Sequence, residues 1–274
     1  MRDMQKQIID ATGVQPQIDP AAEVERRVRF LADYAITAHA KGFVLGISGG
    51  VDSTLGGRLG QLAVELLRSE GHEAQFVAMR LPHKVQADEA DARAAMDFVA
   101  ADTELTFNIG AATDGIAAEF QASTGRALSD FDKGNVKARE RMTAQYAVAG
   151  DLDLLVIGTD QAAESISGFF TKFGDGGADI LPLYGLDKRQ VRQLLEHLGA
   201  PEHVWAKVPT ADLLDGKPLQ TDETELGLSY DIIDDYLEGR VVPDEAAELI
   251  EQRYLRTRHK RTTPVSILED WWRD

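Results

Sequence analysis

Apolar residues along this chain follow two patterns, short unbroken runs and stripes with helical spacing. Val24, Val28, Leu31 and Ala35 share one stripe, which predicts a helix over 21–40. Asp19 reads as its N-cap with Pro20 at the first helical position, and Lys41-Gly42 ends it. Phe43-Val44-Leu45-Gly46-Ile47 then forms an unbroken apolar run, the pattern of a strand covered on both faces of a parallel sheet. Helical spacing returns over 55–67 and closes at Gly71, and 75–80 is a second strand candidate. The pattern continues as helix over 87–98, strand over 105–109, and helices over 112–122 and 135–149. A fourth strand, Leu154-Leu155-Val156-Ile157, is again continuously apolar. A helix over 187–198 is capped by Asp187 and stopped at Gly199, and the chain from Pro209 onward is mainly helical and acidic.

This alternation predicts a doubly wound α/β fold, a mainly parallel sheet with helices on both faces and helical extensions at either end. Ligands of such folds sit beyond the carboxyl ends of the strands. The loop after Ile47 and the segment after Ile157 therefore converge on one cleft. Between 167 and 179, Gly168, Gly174, Gly176 and Gly177 mark a mobile loop over that site.

Composition narrows the chemistry. The 274 residues show no internal repeat or linker, so one domain is expected. No run of eighteen apolar residues suits a membrane span. Residues 1–18 lack the apolar core of a secretory signal, and the expected location is the cytoplasm. There is no cysteine, which excludes disulfides, thiolate zinc sites and a cysteine nucleophile. A thioester route from glutamine to ammonia is thus closed to this chain alone, and no glutaminase domain is expected. The formal net charge of −17 argues against nucleic acid or anionic lipid as partner. An anionic substrate needs a local basic cluster, and the run from Arg256 to Arg261 is the local basic patch. Such a run is also commonly a solvated helix face.

Gly46-Ile47-Ser48-Gly49-Gly50-Val51-Asp52-Ser53-Thr54 joins the first strand to its helix. Adjacent glycines allow close backbone approach, and loop N–H groups with a helix N-terminus make an anion-binding nest. Asp52 adds a hard oxygen of the kind Mg²⁺ takes beside phosphate oxygens. The lysine that ends a Walker A loop is missing, and so is the Gly-x-Gly-x-x-Gly of dinucleotide-binding folds.

The loop resembles the Ser-Gly-Gly-x-Asp-Ser element of the N-type ATP pyrophosphatases, a Rossmann-like superfamily that adenylates substrates. Further motifs follow in order: Arg80-Leu81-Pro82-His83 with Gln86, Asp132 to Met142, Gly158-Thr159-Asp160-Gln161-Ala162-Ala163-Glu164-Ser165, Gly168 to Leu183, Pro209 to Leu213, and His259-Lys260-Arg261. Together they resemble the ammonia-dependent NAD synthetases over nearly the whole chain.

That resemblance implies conversion of deamido-NAD, ATP and ammonia to NAD, AMP and pyrophosphate, by a homodimer with active sites near the subunit interface. It implies ATP contacts from Gly46, Ile47, Ser48, Gly49, Gly50, Val51, Asp52, Ser53, Arg80, Gln86, Thr159, Lys188 and Thr210. Asp52 and Glu164 would hold Mg²⁺, with Lys188 as charge partner of the phosphates. Arg139, Lys172, Asp179, His259 and Lys260 match the deamido-NAD positions, with Phe131, Tyr146 and Phe169 as stacking surfaces. Asp175 is the candidate base for ammonium. Val51 and Gln161 depart from the usual pattern, Gln161 standing where many relatives carry His. Asp222, Glu223 and Glu225 read as solvated residues or as an acidic loop over the site. Competing readings are another adenylating amidotransferase, such as the ligase part of GMP synthetase, and a non-catalytic adenine-nucleotide sensor. A tRNA-thiolating relative fits less well, lacking both cysteines and a basic surface.

Overall fold

A computed structural model describes residues 1–84, 89–211, 220–262 and 264–273. Helices α1 (Asp3–Thr12) and α2 (Pro20–Thr37) precede strand β1 (Gly42–Gly46). There follow α3 (Val51–Ser69), β2 (Gln75–Arg80), α4 (Glu89–Val99), β3 (Thr103–Thr106), α5 (Gly110–Thr124), α6 (Asp130–Leu152) and β4 (Leu155–Val156). Beyond the sheet lie α7 (Ala162–Ser167), α8 (Lys188–His197), α9 (Glu202–Trp205), the short strands β5 (Thr210–Ala211) and β6 (Gln220–Thr221), α10 (Asp222–Leu226), α11 (Tyr230–Leu237), α12 (Asp244–Arg256) and α13 (Arg258–Arg261).

The main sheet has the order β3-β2-β1-β4 with every pairing parallel. The chain leaves β1 toward β2 on one side and reaches β4 on the other. The switch point thus falls between the carboxyl ends of β1 and β4, where ligands of doubly wound folds bind. The two central strands are buried along nearly their whole length, as their unbroken apolar runs require. One face of the sheet packs on α2, α3 and α8 through residues such as Leu31, Leu55, Leu59 and Leu194. Burial of each such side chain stabilises the fold by about 1.5–3 kcal/mol. The other face, with Val44, Val77, Met79 and Val156, is covered by Ala144 and Ala149 of α6. A separate core joins α1, α7, α11 and α12 around Ile8, Ile166, Tyr236 and Ile250.

Several element bounds differ from the apolar pattern. The third strand runs Thr103–Thr106 instead of 105–109. It is an edge strand whose residues are largely exposed, so burial left no apolar run to mark it. Pro82 beyond β2 has no N–H to continue the ladder. Helix α6 starts at Asp130 because Ser129 caps it, accepting from the Asp132 N–H at 3.0 Å. Helix α3 starts at Val51, directly after the glycine pair. The helix over 87–98 is described from Glu89. Helices α1 and α7 carry no sequence-level expectation. Helix α1 is fixed by Gln5, whose Nε2 donates to the carbonyls of Tyr236 and Arg240.

Candidate active site

Gly50 is the N-cap of α3, so Val51, Asp52 and Ser53 form its first turn. The first intrahelical bond runs from Thr54 N to Gly50 O, which leaves the preceding amides without helical partners. A 19-residue helix aims them and the positive end of its dipole at the loop. Gly49 has φ +87°, and a Cβ there would lie 2.8 Å from the Ala92 backbone nitrogen. Only glycine lets the loop pass that close to α4. Ser53 Oγ accepts from Ser48 N at 3.2 Å and lies 3.0 Å from Ser48 Oγ, so the loop is preorganised by its own hydroxyls. Gly46 N donates to Gln145 Oε1 at 2.7 Å, tying the strand end to α6.

This loop forms one wall of a cavity of about 390 Å³, with Thr159, Glu164, Asp175 and Lys188 on the others. Helix α7 delivers Glu164. Its N-cap is Gln161, whose Oε1 accepts from Ala163 N at 2.6 Å and from Glu164 N at 3.4 Å. The departure at Gln161 is therefore a capping residue here. Lys188 opens α8 and is 1% exposed, and its Nζ donates to Asp52 Oδ2 at 2.5 Å and Glu164 Oε1 at 3.4 Å. Burial alone would lower the lysine's pKa, but Asp52 and Glu164 raise it above its ordinary value, so the ammonium stays charged. Burial pushes the Glu164 carboxyl up, against the pull of that ammonium. Asp52 Oδ1 is buried without a hydrogen-bond partner.

The segment from 168 to 179 is tied down at several points. Lys260 Nζ donates to the carbonyls of Gly168 and Phe170 at 2.8 and 2.6 Å. Gly168, with φ +65°, accepts the close approach of the Thr257 side chain. Arg139 reaches the Lys172 carbonyl at 3.3 Å. Asp175 Oδ1 accepts from Thr171 N at 2.9 Å. The Asp175 side chain opens onto the cavity, yet surrounding protein raises its pKa against that hydrogen bond. His259 is lowered by partial burial and by the charges of Lys172, Lys260 and Arg261, which places these cations in one cluster.

The structure thus brings Gly46, Ile47, Ser48, Gly50, Val51, Asp52, Ser53, Phe131, Thr159, Glu164, Phe169, Asp175, Lys188 and Lys260 to one cavity. It does not bring Arg80, Arg139, Tyr146, Lys172, Asp179 or His259 onto the cavity wall. Arg80 pairs with Glu89. The Tyr146 hydroxyl donates to Asp179 Oδ1 at 3.0 Å, and Asp179 Oδ2 accepts from Val156 N at 2.8 Å. Gln86 lies outside the described residues, and Thr210 is described as the backbone opening β5.

Sequence reasoning gave no role to Gln145 or Asp160, and it left Asp222 and Glu225 open between solvated residues and an acidic loop over the site; the structure favours the second. Asp222 is not solvated: it is 7% exposed and lines the cavity beside Glu225. The Asp160 carboxyl is pushed up to about 7 by burial and the charge of Asp175, with Arg261 opposing. The Gly-Thr-Asp-Gln run held that residue in view, but nothing in a sequence tells a buried aspartate from a turn residue.

A sequence profile of the NAD synthase family matches residues 23–264. The chain belongs to the NAD synthase family. An NH(3)-dependent NAD(+) synthetase from Bacillus cereus is 59% identical over 270 residues, 98% of this chain and 99% of that relative. A crystal structure of NAD+ synthetase from Burkholderia pseudomallei superposes with a TM-score of 0.83 at 50% identity, covering 96% of this chain and 99% of that one. An NMN synthetase from Francisella tularensis gives a TM-score of 0.79 at 35% identity, covering 91% and 99%. The NAD synthase fold is thereby established across the sheet and both helical extensions.

Proposed function

We propose that this chain is an ammonia-dependent NAD synthetase that adenylates the nicotinate carboxylate of deamido-NAD with ATP and amidates it with ammonia. One observation carries the reading. Asp52, Glu164 and Lys188 meet beneath the unpaired amides of α3, in the cavity that Asp175 also lines.

In this reading the amides of residues 50–53 and the Lys188 ammonium hold the phosphates. A nicotinate oxygen attacks the α-phosphorus, the bond to the β-phosphate bridging oxygen breaks, and pyrophosphate leaves. Ammonia then attacks the acyl carbon, and the carbon–oxygen bond to AMP breaks. Asp175 takes the proton that ammonium must lose. Phe131 and Phe169 offer ring faces on the cavity wall, and Lys172 and Lys260 supply positive charge for the substrate's phosphates, with the His259 imidazole beside them. No enzyme nucleophile is required, so positioning and charge neutralisation carry the catalysis.

Mg²⁺ belongs to the same reading, and the donor set fits it. Asp52 has a buried unpartnered oxygen, and Glu164 presents a second carboxylate across the Lys188 ammonium. Mg²⁺ takes one or two carboxylates plus phosphate oxygens, and bound there it would neutralise phosphate charge. A homodimer is also part of the proposal. Helix α5 buries only Gly110 and Thr113 and leaves Ile116 exposed, and Leu105, Phe107 and Phe131 are exposed in the segments on either side of it.

Purified protein with ATP, Mg²⁺, ammonium and deamido-NAD should release NAD, AMP and pyrophosphate in equal amounts, and glutamine should not replace ammonium. Absence of pyrophosphate release would overturn the NAD synthetase reading and leave a different acceptor or a nucleotide sensor. Because an NMN synthetase lies among the similar structures, nicotinate mononucleotide serves as the competing substrate. A preference for it would move the acceptor assignment without touching the adenylation site.

A further inference from the structure

Lys188 is bonded to the same two carboxylates that the proposed function gives to a divalent cation. An ammonium and a divalent cation held by the same two carboxylates repel one another, even where the cation takes the free Asp52 Oδ1. Like charges a few ångströms apart repel strongly where water is largely excluded, and a doubly charged ion doubles that repulsion. Lys188 must therefore leave Asp52 and Glu164 when the cation arrives. An ammonium that is only 1% exposed cannot then remain without an anionic partner.

A second acceptor stands beside it. Lys188 Nζ lies over the Tyr230 ring, 4.7 Å from its centroid. The Tyr230 hydroxyl donates to Asp222 Oδ2 at 3.1 Å. Asp222 is 7% exposed and lines the same cavity, and its Oδ1 is buried without a hydrogen-bond partner. The backbone carrying the pair is fixed, since Tyr230 N donates to Glu223 Oε1 at 2.8 Å. The negative charge of Asp222 already acts on the Lys188 ammonium. Among the described residues, Asp52, Glu164 and Asp222 do not close into a group that could hold a metal between them. Asp222 is thus placed as a partner for the lysine and not as a third ligand.

We propose that Asp222, oriented by Tyr230, receives the Lys188 ammonium when a divalent cation takes Asp52 and Glu164. Asp222 and Tyr230 are then positioning residues that keep Lys188 charged on the cavity wall while the cation site fills. This rests on the assignment of Asp52 and Glu164 to the cation.

Mn²⁺ binding to the nucleotide-free protein, followed by the paramagnetic resonance signal of the unbound ion, tests it without turnover. Asp222→Asn should weaken Mn²⁺ binding by about tenfold, and Lys188→Met should strengthen it. In the Lys188→Met background Asp222→Asn should change nothing further, because no ammonium remains to be received. Equal weakening in both backgrounds would make Asp222 a direct ligand and overturn the proposal, as would no weakening in the otherwise unaltered protein. Tyr230→Phe keeps the ring and removes the hydroxyl. It should show a smaller loss that also vanishes with Lys188→Met, and it supplies the same cycle if Asp222→Asn fails to fold. Asp52→Asn tests the underlying assignment separately. Undiminished Mn²⁺ binding by that variant removes the cation site itself, whatever the cycle shows.

Discussion

Asp52 occupies the first turn of α3, where a carboxylate is favoured by the helix dipole and by the nearby Lys188 ammonium. One of its oxygens is bonded to that lysine and the other is buried and unpartnered. Asp52→Asn keeps the size and removes the charge. The expected result is a fall in pyrophosphate release of at least about a hundredfold, with the folded state retained by circular dichroism. A near-normal rate would take Asp52 out of the reaction. The residue was legible because a carboxylate two positions beyond a glycine pair, between a buried strand and a helix, has few structural reasons to be there. Asp222 was only half legible, as a solvated residue or part of an acidic loop over the site, for the converse reason. It stands in the acidic run 222–225 and is buried only because Tyr230 and the cavity wall close over it.

Helix α8 shows the same division at the scale of an element. Its cap was readable: Asp187 accepts from Gln190 N at 2.8 Å, and Gln190 completes the capping box. Its second support was not. Asp234 of α11, distant in sequence, accepts from Lys188 N at 3.2 Å and Arg189 N at 2.9 Å. Burial raises both carboxyls, with the charge of Glu238 adding to Asp187 and that of Asp187 adding to Asp234. The folded protein therefore holds a proton that the unfolded chain releases at about pH 4. Where the native state binds more protons, stability falls as pH rises. The contribution from this pair is full below the ordinary carboxylate range and is lost as pH climbs through the raised folded-state value. Urea midpoints should decline from about pH 5 to about pH 8, and Asp234→Asn should flatten that decline. An unchanged slope would show that the pair does not govern it.

Across the whole molecule, the acidic surface and the basic cluster at 256–261 divide the electrostatics. The net charge of −17 discourages nucleic acid, while Lys260, His259 and Arg261 converge with Lys172 near the glycine-rich segment. Helix α5 leaves Ile116 44% exposed, beside the exposed edge strand β3. An apolar face of this kind suits a self-complementary contact about a twofold axis. Light scattering after size exclusion should give a dimer of the 30.0 kDa chain. Ile116→Asp should shift it toward monomer with the far-ultraviolet spectrum unchanged. A monomer in the unaltered protein would remove the dimer from the functional proposal.

The order of elements, the parallel sheet and the glycine loop after β1 were set by local patterns: apolar runs, helical stripes, caps and adjacent glycines. Each depends on residues close together in sequence, so it can be read there. The edge strand β3, the short helix α7 and the burial of Lys188 came from tertiary packing. Lys188 has the composition of a surface residue, and three segments far apart in sequence bring Asp52, Glu164 and Tyr230 around it. Which charges face one another across a cavity depends on how helices cross the sheet, and no spacing along the chain encodes that meeting directly.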